Sequence, residues 1–252
     1  MPLRILAVYG TRREGMKLAP VVEALRADAD FEVKVCSTSR QGALAQDLAD
    51  VFDLRPDWDL DLWHEGDDLY RAVAGVIEGL RDVLREARPD WVIIQGDTTS
   101  AFASALGAFY AGAKIAHVGG GLRTGDMADP FPEEGHRTMA TRLASLHLAA
   151  TARARAALKA EGIHPGKVEV TGSPIVDTLR KALALEAPLD ADLAAWTEGR
   201  KLAVLTVRRS DRLGAGAAGV AEAIRALHDR EAALRWALVL RRDHAPSDIL
   251  RA

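Results

Sequence analysis

Short apolar runs alternate along the chain with longer amphipathic stretches. Leu3–Tyr9, Phe31–Ser37, Trp91–Gln95 and residues 114–118 are rich in Val and Ile and show little polar alternation. Strands of that kind are buried on both faces, as in a parallel sheet covered by helices. Between them lie helical patterns. Residues 20–25 carry apolar side chains at 21, 22 and 25, and Leu69–Ala87 repeats them at 69, 73, 76, 77, 80 and 84. Steps of three and four give a helix one buried stripe. Residues 99–111 are almost wholly small and apolar, which suits a helix pressed closely onto a sheet. The alternation continues with strands at Leu146–Ala149, 168–171, 202–206 and 236–240. Helices are predicted at 151–161, ended by Gly162, at 174–185, with Pro174 at its start, and at 217–227. Strand–helix alternation implies right-handed βαβ units and an α/β fold, a doubly wound parallel sheet.

The segment Ala187-Pro188-Leu189-Asp190 reads as a linker. It divides the chain into a complete first domain, residues 1–185, and a second, residues 186–252, that is short for an independent core. Charge and cysteine content then narrow the function. The 33 Lys and Arg residues are outnumbered by 36 Asp and Glu, for a net charge of −3. A general nucleic-acid or membrane-surface binder carries a basic excess instead. One cysteine, Cys36, allows no internal disulfide framework and no cysteine cluster for zinc or iron–sulfur. The first apolar run is too short for a signal peptide, and no stretch approaches ~18 uncharged apolar residues. A soluble, cytoplasmic protein with no metal is the expectation.

Three segments carry candidate chemistry. Gly10-Thr11-Arg12-Arg13-Glu14-Gly15-Met16-Lys17 follows the first strand, where ligands sit in doubly wound sheets. Arg12 and Lys17 are placed to face a phosphate there, although the segment is neither G-x-G-x-x-G nor a Walker loop; a solvated basic turn is the bland alternative. Gln95-Gly96-Asp97-Thr98-Thr99 puts a carboxylate at the end of a buried strand, where Asp97 or Thr98 could equally cap the next helix. Residues 117–126, from His117-Val118-Gly119-Gly120-Gly121 to Leu122-Arg123-Thr124-Gly125-Asp126, lead to Pro130-Phe131-Pro132-Glu133-Glu134-Gly135-His136-Arg137. Glycines allow a ligand close to the backbone, and long strand-to-helix loops are often functional. Acids in a first helical turn also simply answer the helix dipole. The histidines at 64, 147, 164 and 228 are scattered and read as packing or surface residues. Arg208-Arg209 and Arg241-Arg242 could hold phosphate or be exposed basic pairs.

In order along the chain, these motifs resemble the UDP-N-acetylglucosamine 2-epimerases. The resemblance rests on Gly10-Thr11-Arg12-x-Glu14-x-x-Lys17-x-Ala19-Pro20, Gln95-Gly96-Asp97-Thr98-Thr99, His117-Val118-x-x-Gly121-Leu122-Arg123-Thr124-Gly125 and Pro130-Phe131-Pro132-Glu133-Glu134-x-x-Arg137. Thr171-Gly172-Ser173-Pro174-Ile175-Val176-Asp177 is similar to the segment closing the family's first domain. The resemblance implies a glycosyltransferase-B type fold, with two Rossmann-like domains, the first complete in residues 1–185 and the second truncated in 186–252. It implies a cytoplasmic homodimeric isomerase that interconverts UDP-GlcNAc and UDP-ManNAc for polysaccharide biosynthesis, without a cofactor. UDP is eliminated across C1–C2 and re-adds after protonation of C2 from the other face. Carried over by position, Asp97 and Glu133 become catalytic carboxylates, Arg12 and Lys17 diphosphate contacts, Arg123 and Arg137 further substrate-site cations.

The sequence also departs from the family's pattern. Gly119 stands where the family's loop has a glutamate, and Arg208 where its second domain has a histidine. Arg208 could still stabilise a diphosphate, since guanidinium binds phosphate in a bidentate way, but it cannot be a general acid at neutral pH. Each acid/base group lost costs about 10²–10⁴ in rate, so weakened activity is expected. A non-catalytic sugar-nucleotide- or partner-binding relative, or a hydrolysing epimerase, remain as alternatives.

Overall fold

The computed structural model describes residues 1–38, 49–62, 68–185, 188, 190–206, 216–231 and 234–239. The chain divides into two compact units, Met1–Leu185 and Glu186–Ala252. In the first, strands β1 (Leu3–Tyr9), β2 (Phe31–Ser37), β3 (Trp58–Asp59), β4 (Trp91–Gln95), β5 (Lys114–Gly120), β6 (Leu146–Ala149) and β7 (Val168–Val170) form one sheet. Its order is β3-β2-β1-β4-β5-β6-β7, with every pair parallel. Helices α1 (Arg12–Arg26), α2 (Leu69–Ala87), α3 (Thr99–Tyr110), α4 (Glu133–Leu143) and α5 (Ala152–Ala160) lie between strands, and α6 (Ile175–Leu183) follows the last of them. This is the doubly wound α/β sheet that the alternation predicts.

The strands supply both faces of the core. Leu6 and Val8 pack with Val76, Leu80, Val83 and Leu84 of α2 and with Ala103, Ala105 and Ala108 of α3. Ile5, Ala7 and Tyr9 turn to the opposite face, against Leu18, Ala19 and Val22 of α1. The period-2 alternation of a strand sends consecutive apolar residues to opposite sides, so both faces need a helical cover. The alanines of α3 let it sit close to the sheet. Strand order reverses between β1 and β4, which makes the crevice beyond their carboxyl ends the natural ligand position.

Two elements differ from expectation. The segment 10–17 is not a basic turn, because the turn ends at Thr11 and Arg12 opens α1. Thr11 Oγ1 accepts from the Glu14 backbone N–H at 3.3 Å, and Glu14 Oε2 accepts from the Thr11 N–H at 2.7 Å. This capping box starts the helix at once. Strand β5 extends two residues past the expected 118, through Gly119 and Gly120, with an irregular register between Val118 and Gly120. β3, only two residues long, has no counterpart in the predicted elements.

In the second unit, β8 (Lys201–Thr206) and β9 (Leu234–Val239) pair in parallel, with helices α7 (Ala191–Thr197) and α8 (Gly216–Arg230) beside them in sequence. Among the described residues no helix is long and apolar enough to cross a membrane.

Candidate active site

The crevice begins with a staple across the switch point. Glu14 is buried, and its Oε2 accepts from the backbone N–H groups of Gly10 at 2.9 Å and Thr11 at 2.7 Å, beyond β1. Its Oε1 accepts from Thr98 Oγ1 at 2.5 Å, beyond β4. One side chain therefore ties the two central loops together. Burial pushes its carboxyl up, against the pull of these donors. Gly10 is obligatory at this crossing, since a Cβ would lie 2.0 Å from Ser100 Oγ and 2.8 Å from Thr38 Oγ1.

Asp97 lies two residues beyond the end of β4. Its carboxylate pairs with the Arg137 guanidinium of α4 through Nη2. Arg137 is buried, and its Nη1 donates to Glu134 Oε2 at 3.0 Å. Glu134 is buried too. It also accepts from the backbone N–H of Thr124 at 3.1 and 3.2 Å and of Gly125 at 3.1 Å. Burial would raise its carboxyl, but the N–H groups of Gly125 and Thr124 and the charge on Arg137 hold it below the usual value. Thus the loop after β4, the loop after β5 and α4 meet in one chain of charges.

Glu133, the first residue of α4, has Oε2 buried with no hydrogen-bond partner among the described residues. His136 stacks on Phe102, with ring centroids 5.1 Å apart and planes 9° from parallel. Burial lowers its pKa, opposed by a hydrogen bond to the Asp97 backbone and by the charges of Glu133 and Asp97. Both carboxylates thus bear on one imidazole.

His117 supports the Asp97 turn from β5. Its Nε2 lies 2.7 Å from the Gly96 carbonyl oxygen. A carbonyl only accepts, so this nitrogen carries the proton. Burial keeps the ring neutral by lowering its pKa. Gly96 takes φ of 75°, a left-handed conformation suited to glycine.

The remaining candidates lie as follows. Arg12 and Lys17 occupy the first two turns of α1. Five positions apart, they leave the helix axis about 140° from one another. Arg123 gives its donors to protein acceptors: Glu161 Oε1 at 2.6 Å and Oε2 at 3.0 Å, Thr141 Oγ1 at 2.8 Å and the Leu122 carbonyl at 2.7 Å. It braces the loop against α4 and the end of α5. Gly119 has φ of 78°, and a Cβ there would lie 3.4 Å from Gln95 Nε2. Arg208 and the basic pair at 241–242 lie outside the described residues. Cys36 is buried, with its thiol pushed up to about 12 by burial and the nearby Asp59 and Asp57, an inert setting. Among the described residues no three His, Cys, Asp or Glu side chains group as metal ligands.

Sequence reasoning left Glu134, Glu14, His117 and His136 without roles. A signal existed for two of them. Glu134 and Arg137 are three apart on a helix, the spacing of a facing ion pair, and Thr11-x-x-Glu14 is a capping-box pattern. The burial that turns Glu134 from a dipole-answering acid into a hub depends on the loop folding over it, which the local sequence does not encode.

Known proteins share this arrangement of chain. The curated UDP-N-acetylglucosamine 2-epimerase of Salmonella typhimurium is 35% identical over 229 residues, 88% of this chain and 61% of that protein. Its Escherichia coli K12 counterpart is 35% identical over 221 residues, 85% of this chain and 59% of that protein. The crystal structure of the UDP-GlcNAc 2-epimerase from Neisseria meningitidis bound to UDP-GlcNAc superposes with a TM-score of 0.87 at 28% identity, covering 99% of this chain and 69% of that one. The chain thus spans about three fifths of the length of the curated relatives it matches. The family model for UDP-N-acetylglucosamine 2-epimerase matches residues 23–248, and with the order of motifs through β1, β4, β5 and α4 this chain belongs to the UDP-N-acetylglucosamine 2-epimerase family.

Proposed function

We propose that the protein interconverts UDP-GlcNAc and UDP-ManNAc, with Asp97 and Glu133 exchanging the C2 proton. The observation carrying this reading is Glu133 Oε2, buried and unpartnered among the described residues, at the start of the helix whose Arg137 pairs with Asp97. An acceptor left unmet in a crevice is expensive unless a ligand satisfies it. It lies at the carboxyl edge of the sheet, where doubly wound folds bind ligands.

In this reaction a carboxylate takes the C2 proton while the C1–oxygen bond to UDP breaks, leaving 2-acetamidoglucal and UDP. Return of a proton to the other face of C2 and re-addition of UDP at C1 complete the inversion. Departing diphosphate needs cations, and in this reading Arg12, at the crevice end of α1, contacts it while Lys17, on another side of the helix, shapes the pocket. Arg123 shapes the wall through its hold on Glu161. Gly119, which brings no carboxylate to the end of β5, makes the turnover slower than a full set of acids would give.

The reading assigns the protein to the cytoplasm, to homodimers and to polysaccharide precursor supply. Its test is incubation with UDP-GlcNAc in deuterated water, followed by NMR for UDP-ManNAc, free UDP and deuterium at C2. Wild type is expected to form UDP-ManNAc labelled at C2, and Asp97→Asn to lose about 10²–10⁴ in rate. Wild-type turnover no greater than that of Asp97→Asn would remove the enzymatic reading. Free N-acetylmannosamine as product would replace it with the hydrolysing one.

A further inference from the structure

We propose that Glu134 is the positioning residue of this site: it fixes the Arg137 guanidinium, and through it the carboxylate of Asp97. The role assigned to Asp97 rests on the function proposed above, whereas the hold on Arg137 does not.

Three observations carry the proposal. The first is the number of handles on Arg137. Its Nη2 meets Asp97, its Nη1 meets Glu134, and its Nε–H finds no acceptor among the described residues. A guanidinium is a rigid plane of five donors, so two carboxylates at opposite corners determine its orientation. With Glu134 removed, the fork pivots about Asp97 alone.

The second is that Glu134 is itself immobilised. Three hydrogen bonds from the backbone of Thr124 and Gly125 anchor its carboxylate, and almost none of its surface reaches solvent. A surface acid answering the helix dipole would instead be wet and free to rotate. Backbone amides and Arg137 together compensate the buried charge, and either set alone would leave it costly.

The third is the geometry of the route. Glu134 anchors to the loop after β5, Arg137 lies one turn along α4, and Asp97 sits in the loop after β4. Two further segments, the loop after β5 and α4, therefore reach Asp97 through one side chain. Asp97 is partly exposed; His117 and the Val118 carbonyl hold the backbone at Gly96 before it, and its carboxylate is paired with Arg137. Its precision comes from Arg137, and that of Arg137 from Glu134.

Glu134 touches no proposed reacting atom, so it acts on rate through placement. Misplacement of a reacting group by about 1 Å costs on the order of 10²-fold. The experiment compares wild type with Glu134→Gln, which keeps shape but loses the charge, and Glu134→Asp, which keeps the charge on a shorter stem. Arginine-selective ¹⁵N labelling, with Arg137→Lys for assignment, reads the side chain directly. Wild type is expected to show a separate, slowly rotating Arg137 guanidinium, Glu134→Gln an averaged one, and Glu134→Asp partial recovery. All variants are compared by amide spectra to verify the fold. An Arg137 signal that stays fixed in a folded Glu134→Gln protein overturns the proposal.

Kinetics give the second arm. In a wild type that turns over UDP-GlcNAc, Glu134→Gln is expected to lose about 10–10²-fold in kcat with KM within about twofold, and Glu134→Asp to recover part of that loss. Unchanged kcat overturns the link to Asp97. A wild type without turnover overturns the proposed function, and the guanidinium signal still decides the hold on Arg137.

Discussion

Glu14 shows how a buried charge can organise a site without taking part in its chemistry. Two backbone N–H groups and one hydroxyl converge on its carboxylate, yet burial leaves the charged form less favourable than in the unfolded chain. The sign of the pH effect follows. With the folded pKa raised, the contribution of protonation to stability is fully present below the ordinary carboxyl value. It is lost as the pH rises through the folded value and is constant above it. Glu14→Gln accepts from the same two N–H groups through its oxygen, and its amide can donate to Thr98 Oγ1. Urea midpoints of the two proteins from pH 4 to 8 are expected to show wild type losing stability relative to Glu14→Gln as the pH climbs, then running parallel. A difference that moves the other way would mean the hydrogen bonds outweigh desolvation.

At the scale of elements, α1 carries a proline in its interior, Pro20, the ninth residue of the helix. An interior proline lacks the N–H that would bond the carbonyl four residues earlier and commonly costs ~3 kcal/mol. The carbonyl in question belongs to Met16, and Thr178 Oγ1 of α6 donates to it at 2.5 Å. The same hydroxyl lies 3.1 Å from the Pro174 carbonyl. The vacancy made by Pro20 thus becomes the docking point of the unit's last helix. Thr178→Val keeps shape and removes the donor, so about 1–3 kcal/mol should be lost in denaturant unfolding, with Thr178→Ser recovering most of it. This contact marks the limit of what the sequence makes legible. Local periodicity located β1, β2, β4, α2 and α3, because their stripes are written into consecutive residues. The full extent of α1 escaped it, because Pro20 and the basic Arg12 to Lys17 stretch read as a turn until the capping box and Thr178 are considered. The short β3 escaped it as well, since two residues carry no period. In the candidate site, Asp97, Glu133 and Arg137 were legible from motif order, whereas Glu134 and His117 gain their roles only from loops brought together by the sheet.

At the scale of the molecule, the two units differ in how much chain they bury. The first has fully buried side chains on both faces of a seven-stranded sheet, from Leu6 and Val8 to Ile5 and Ala7. In the second, no residue among 190–206, 219–231 and 234–237 is fully buried, and the sheet among the described residues has two strands. Apolar burial is the main favourable term in folding, and a two-stranded sheet needs further packing for independent stability. Cooperative opening starts where buried contacts are fewest. Limited proteolysis of the whole chain is therefore expected to cut first beyond Leu185 and to leave a resistant fragment ending near that residue. Amides of β1, β4 and β5 should exchange most slowly, at the free energy of global unfolding, and those of β8 and β9 at a much lower one. Because Asp97, Glu133, Glu134 and Arg137 all lie in the first unit, the resistant fragment should retain the guanidinium signal of Arg137. Its loss on cleavage, with the slow amides of β4 and β5 intact, would show that residues beyond 185 help to hold the charge chain in place.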